Sequence, residues 1–155
     1  RDRDGGLECR RGSSDLILIR RGALGNGLPE RDMLVSPQHR MLITSDVAAM
    51  MFDEREVLVA AKHLTGLDGV DQVRTGAGSY MQLMFDQHEV VLADGAWSES
   101  FQPGDHSLRG IGTEQRDEVI ALFPELQTVT GLEEYGSARL SLKRHEAAVI
   151  VDRLR

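Results

Sequence analysis

Apolar and polar residues alternate along this chain in short runs separated by glycine, proline and charge. The clearest run is Asp15-Leu16-Ile17-Leu18-Ile19-Arg20, rich in branched side chains and bounded by charges, which predicts a buried strand. Gly22, Gly25, Asn26 and Gly27 then force a loop. Met33-Leu34-Val35 and Met41-Leu42-Ile43-Thr44 predict two strands flanking Ser36-Pro37-Gln38-His39. Pro37 cannot donate to a ladder and holds Ser36 extended, so this tetrapeptide marks a strand break at which a side chain can be aimed. Glu56-Val57-Leu58-Val59-Ala60 predicts another strand, and Ala61 to Leu64 a single helical turn stopped by Gly66.

Gly69, Gly76 and Gly78 predict a loop region. Tyr80 to Phe85 and Glu89 to Ala93 then read as two strands of a hairpin joined through Asp86-Gln87-His88. Past Pro103 the period changes. Glu114 to Phe123 places Val119, Ile120 and Phe123 on one helical face, ended by Pro124. Leu142, Val149, Ile150 and Leu154 form a further helical stripe, although Ala148-Val149-Ile150-Val151 also fits a strand. The predicted fold class is mostly β: a flexible charged lead-in over 1–14, a β domain of short strands over 15–105, and a partly helical C-terminal extension over 106–155. Met33, Met41, Met50, Met51, Met81 and Met84 are expected to fill the core.

Composition narrows the function. The 155 residues suit one domain, with 41% hydrophobic and 28% charged residues. A net charge of −7 argues against general binding of nucleic acid, which needs clustered Lys and Arg. Charge is uneven, because residues 1 to 40 hold eight Arg against six acidic residues and the remainder ten basic against nineteen acidic. One cysteine excludes an intrachain disulfide and any multi-thiolate metal site. No apolar run approaches the ~20 residues that span a bilayer. Gly22-x-x-Gly25-x-Gly27 lacks the lysine and the strand-loop-helix setting of a phosphate loop. The histidines show no helical or close spacing typical of a zinc site. No cofactor and no metal are expected.

The chemistry centres on Ser36 and His39, with His88 far downstream and Asp86 two residues before it. Expelling an amide nitrogen from a rearranging peptide bond requires a proton, and an imidazole with an ordinary pKa near 6.5 can supply one at neutral pH. The Ser36-Pro37-Gln38-His39 motif resembles the Thr-x-x-His motif of the Hint family, the domain shared by hedgehog proteins and inteins. Val57-Leu58-Val59-Ala60-Ala61-Lys62-His63-Leu64 before Gly66, and Tyr80 through His88 followed by Val90-Val91-Leu92-Ala93-Asp94-Gly95, are similar to later Hint segments. Leu24 to Arg31 and Glu99-Ser100-Phe101-Gln102-Pro103-Gly104 resemble the bacterial branch found toward the ends of large exported proteins.

The resemblance implies self-processing by an N-to-S acyl shift. His39 is then the acid, with Ser36 on the scissile backbone or the imidazole, and His88 polarises a carbonyl or assists the entering nucleophile; Asp86 either orients His88 or lies on the far side of the turn. It implies the protein's own upstream polypeptide as substrate, with water, a thiol or an amine as final nucleophile, and an extracellular or cell-surface setting. The chain departs from the family pattern at three places. Cys9 lies in Gly5-Gly6-Leu7-Glu8-Cys9-Arg10-Arg11-Gly12, unlike the family's nucleophile segment, Met81 follows Tyr80 where many inteins place a catalytic aspartate, and no terminal His-Asn pair follows His88. The nucleophilic cysteine is therefore expected ahead of residue 1, cleavage is favoured over splicing, and these residues alone are expected to be inert. The rival expectation is a non-catalytic β interaction module at the end of a secreted or surface protein. His63, His106 and His145 are expected to be solvated.

Overall fold

The computed structural model describes residues 5–11, 14–76, 78–104, 108 and 111–155. Chain contacts divide into two compact units, each assembled from non-contiguous segments. The larger comprises Ser13–Gly76, Val90–Glu99 and Arg139–Arg155, and the smaller Arg1–Gly12, Ala77–Glu89 and Ser100–Ala138. The fold is mostly β, with a helical C-terminal part.

The smaller unit begins with β1 (Gly5–Arg11), and the larger with β2 (Ser14–Ile19), β3 (Met33–Val35) and β4 (Arg40–Thr44). The larger unit continues through α1 (Asp46–Phe52), β5 (Glu56–Ala60), a 3-10 turn (Ala61–His63) and β6 (Val70–Thr75). Its three-stranded antiparallel sheet has the order β3-β2-β6. After β7 (Gly78–Met84), which belongs to the smaller unit, come β8 (Val90–Ala93) and β9 (Ala96–Glu99). The last elements of the larger unit, following two helices of the smaller, are β10 (Leu140–Ser141) and an eleven-residue helix, Arg144–Leu154. The five-stranded sheet has the order β10-β5-β4-β9-β8, antiparallel except for β10 beside β5.

Four consecutive residues of β5, Val57 to Ala60, are buried. That is why this strand reads as an unbroken apolar run, with β4 on one side and β10 on the other. Ile17, Ile19, Met41, Ile43, Val57, Val59, Leu64 and Val70 pack with Ala147, Ile150 and Val151 of the final helix in one core. The ambiguous segment 148–151 is thus helical. Its buried residues follow a spacing of three and four, which one face of a helix presents and a strand cannot.

In the smaller unit β1 pairs antiparallel with β7, from Gly5 opposite Met84 to Arg11 opposite Gly78. A lead-in without order was expected over 1–14, yet Gly5–Arg11 forms this strand, because a charged, glycine-rich segment can still close a backbone ladder with a partner. Helix α2 (Thr113–Leu122), a 3-10 turn (Pro124–Gln127) and α3 (Val129–Tyr135) complete the unit, which makes Arg144–Leu154 α4. Val119 and Phe123 are buried with Met84, Phe101, Leu108, Leu126 and Tyr135, as the helical face at 114–123 predicts. Gly131 is required by a close approach, since an added Cβ would meet the Glu125 carbonyl oxygen.

The hairpin expected between Tyr80–Phe85 and Glu89–Ala93 does not form. β7 pairs with β1, and β8 pairs with β9 across a two-residue turn at Asp94-Gly95. Both turn residues have positive φ, 48° and 76°, the geometry for which Asp-Gly is suited and into which glycine fits without strain. Several other elements were not anticipated, among them the helix Val129–Tyr135, the short strand β10 and the three that follow. β6 replaces the loop expected around Gly69 to Gly78, β9 follows the Asp-Gly turn, and α1 starts at Ser45, whose hydroxyl accepts from the Val47 and Ala48 amides at 3.2 and 3.4 Å. Of the methionines expected inside, Met41 and Met84 are buried, but Met50, Met51 and Met81 are exposed. Neighbouring Met50 and Met51 both lie on the outer side of a short helix, and Met81 is on the opposite face of β7 from Met84.

Candidate functional site

The Ser36-Pro37-Gln38-His39 segment is a β-turn in the larger unit. The His39 amide donates to the Ser36 carbonyl at 3.0 Å, closing the turn with Pro37 at its second position, where the fixed proline φ is suited. The turn is docked by two more backbone bonds. The Ala61 amide donates to the His39 carbonyl at 2.8 Å and the Lys62 amide to the Pro37 carbonyl at 3.0 Å, so the 3-10 turn after β5 holds it from the other side. Pairing of Arg40 with Ala60 then starts the β4–β5 ladder. Ser36 and His39, both partly buried, are thereby fixed by main-chain bonds at a strand entrance.

Glu99, at the end of β9, was not singled out for any role and pairs with Arg40, the residue that follows this turn. One carboxylate oxygen accepts from the Arg40 backbone amide at 2.9 Å, and the other from the Arg40 guanidinium at 2.9 Å. The Glu99 side chain is only 10% exposed and that of Arg40 33%. Charge-assisted bonds of this kind are short and directional, and a buried carboxylate needs them to offset its lost hydration. Burial pushes the His39 imidazole below its ordinary pKa; the Glu99 carboxylate opposes that shift, and the Arg40 guanidinium adds to it. The sequence carried one signal for Glu99, an acid in an otherwise apolar and hydroxyl-bearing strand, Ala96-Trp97-Ser98-Glu99. Its partner, 59 residues earlier, was invisible.

His88 belongs to the smaller unit and is 4% exposed, not a turn residue at a surface. Its Nδ1 accepts the Ala138 backbone amide at 3.0 Å, so the neutral ring carries its proton on Nε2. Asp86 is exposed. β7 ends at Met84, so the strand does not persist to give Asp86 and His88 a common face. The structure thus brings Ser36, His39, Arg40 and Glu99 together within one unit, with His88 and Asp86 in the other.

The other candidates separate as well. His63, expected to be solvated, has its Nδ1 buried without a hydrogen-bond partner. Burial, Lys62 and Arg144 all push its pKa down. It sits on the 3-10 turn against which α4 packs, a contact the distant sequence position of Arg144 concealed. His145 is exposed on α4, and His106 lies outside the described residues. The backbone of Cys9 stands opposite Tyr80 in the β1–β7 ladder. Among the described residues, no group of three or more His, Cys, Asp or Glu side chains gathers as a metal set, and no helix is long and apolar enough to cross a membrane.

No curated protein and no solved structure matches the chain. The family model of the Hint domain matches residues 5–105, a span that takes in the Ser36–His39 turn, Glu99, His88 and both strands of the β1–β7 ladder. With about two thirds of its length inside that match, the chain belongs to the Hint domain family.

Proposed function

We propose that this chain is the scaffold and acid-bearing part of a Hint-type self-cleaving domain, acting on a peptide bond of its own upstream polypeptide. The observation that carries the reading is the Ser36–His39 turn inside a Hint match, held by three backbone hydrogen bonds with a charged pair beside it. In the proposed reaction a cysteine thiol ahead of residue 1 attacks the preceding carbonyl carbon. A C–S bond forms, the C–N bond breaks, the thiol proton passes to water or a neighbouring base, and His39 as imidazolium protonates the departing nitrogen. Ser36 hydrogen-bonds the scissile backbone or the imidazole. His88, whose neutral ring has its donor at Nε2, has the hydrogen-bonding capacity to polarise a carbonyl. Water, a thiol or an amine then resolves the thioester and releases the upstream chain.

An imidazole with a lowered pKa is a stronger acid but is less often protonated at neutral pH, so the reaction needs a counter-charge that keeps the imidazolium populated. Glu99 has the required sign. The test is the intact mass of the protein expressed from its natural reading frame, with and without added thiol or hydroxylamine. Breakage at an upstream cysteine, accelerated by these nucleophiles, is the expected outcome. A single uncleaved mass under both conditions overturns the reading in favour of a non-catalytic β module.

A further inference from the structure

We propose that Glu99 is a positioning residue for His39, clamping the His39–Arg40 peptide in place and supplying the negative charge that an imidazolium at position 39 requires. This deepens the self-cleavage reading and rests on it for its functional meaning. The geometry comes first. Glu99 bridges two atoms of one residue, the Arg40 backbone amide and the Arg40 guanidinium, both at 2.9 Å. That amide belongs to the peptide whose carbonyl, on His39, accepts from Ala61. The peptide plane following His39 is therefore held on both edges, by Glu99 from β9 and Ala61 from the 3-10 turn. The amide before His39 is held by Ser36. With neighbouring peptides fixed, the direction of the His39 side chain is set by the strand pairing of β4 with β9 and not by a free loop.

The charge arrangement is equally specific. Glu99 favours the protonated ring and Arg40 disfavours it. From the 3-10 turn docked on the same segment, Lys62 is exposed, while His63 is partly buried and is itself held toward the neutral form by its surroundings. Glu99 is thus the acidic group acting on His39, and it also lies against the cation that opposes it. Here one side chain both locks the backbone and sets the protonation balance.

Glu99→Gln separates the two roles, because a carboxamide oxygen can still accept from the Arg40 amide while the charge is lost. The experiment is a histidine NMR titration of the 155-residue chain, with the His39 signal assigned by its loss in His39→Gln. The expected result is that His39 in Glu99→Gln titrates at lower pH than in the parent, with Glu99→Asp between them. In the complete domain, the limb where cleavage falls with rising pH moves to lower pH as well, and the rate at pH 7 falls roughly tenfold. A lower melting temperature with an unmoved His39 titration makes Glu99 a strand clamp only and overturns the proposal. If Glu99→Gln does not fold, Arg40→Gln decides, since removing the opposing cation must move the His39 titration upward; an unmoved midpoint again overturns it. The titration needs no cleavage, so an inert parent domain would defeat the self-cleavage reading while leaving this result standing.

Discussion

The two histidines of the motif pattern are held in opposite ways. His39, in the larger unit, has its flanking peptides tied down and its imidazole under the opposing influences of the Glu99 carboxylate and the Arg40 guanidinium. His88, in the smaller unit, is enclosed and spends its Nδ1 on a backbone amide, a setting that uses the ring as an acceptor and leaves one donor. The contrast teaches that a histidine's role is set by what its other atoms are committed to. The His39 ring sits under two opposing charges, whereas a ring nitrogen of His88 closes a main-chain contact.

The largest expected effect tests this contrast directly. His39→Ala in the complete domain should slow cleavage by about 100- to 10,000-fold while keeping the fold, read by intact mass against time and by circular dichroism. Cleavage at the parent rate would remove His39 from the chemistry. Next is the smaller unit's own stability. Phe123→Ala, in a side chain 1% exposed, should cost about 3–5 kcal/mol in that unit, seen as faster amide exchange around Phe101 and Tyr135 with protection at Ile17 and Val59 unchanged. Equal loss of protection in both cores would show that the units open together.

His88→Ala should destabilise by about 1–3 kcal/mol, because the Ala138 amide loses its acceptor, and should slow cleavage less than His39→Ala. Urea melts and the mass assay together check both halves. The smallest effect concerns pH. A histidine whose folded pKa lies below its unfolded value binds fewer protons when folded, so stability rises with pH in that window. As pH is lowered through about 6.5, stability should decline until the folded pKa of His39 is passed, and His63 acts in the same direction. Replacing His39 by Gln should flatten part of that slope in melts between pH 7.5 and 5.5. An unchanged slope would mean that His39 is not the group responsible.

The sequence was most legible where burial is one-sided or complete. β3 and β5 have the expected bounds, and the helix over 113–122 matches its apolar stripe because proline ends it where the pattern stops. It failed where polar residues occupy strands. β6 buries only Val70 fully, so Asp71-Gln72-Val73-Arg74 looked like loop, and β9 buries Ser98 and Glu99, reversing the usual pattern. α1 was too short to show periodicity, although Ser45 before Asp46 carried a capping signal. The misplaced hairpin came from pairing neighbours in sequence, whereas β7 and β8 belong to different units and Asp94-Gly95 was the stronger turn signal. At the site, the turn was readable from Pro37 alone. The pairing of Glu99 with Arg40 was not, since the acid in an apolar strand hints at a partner without locating one 59 residues earlier.

The discontinuity of the larger unit has a consequence for synthesis. Its core is completed by Ala147, Ile150 and Val151, and β10 pairs with β5. A ribosome delivering the chain in order presents β2 to β6 long before those residues emerge, so the long-range contacts of the sheet close late, as in other folds of high contact order. Strand β4, which begins beside His39, need not share that wait, because its partner β5 ends at Ala60. The bonds that hold the turn, to Ala61, Lys62 and, through Arg40, to Glu99, all lie before residue 100, so its setting can form early and only the packing around β5 waits for α4.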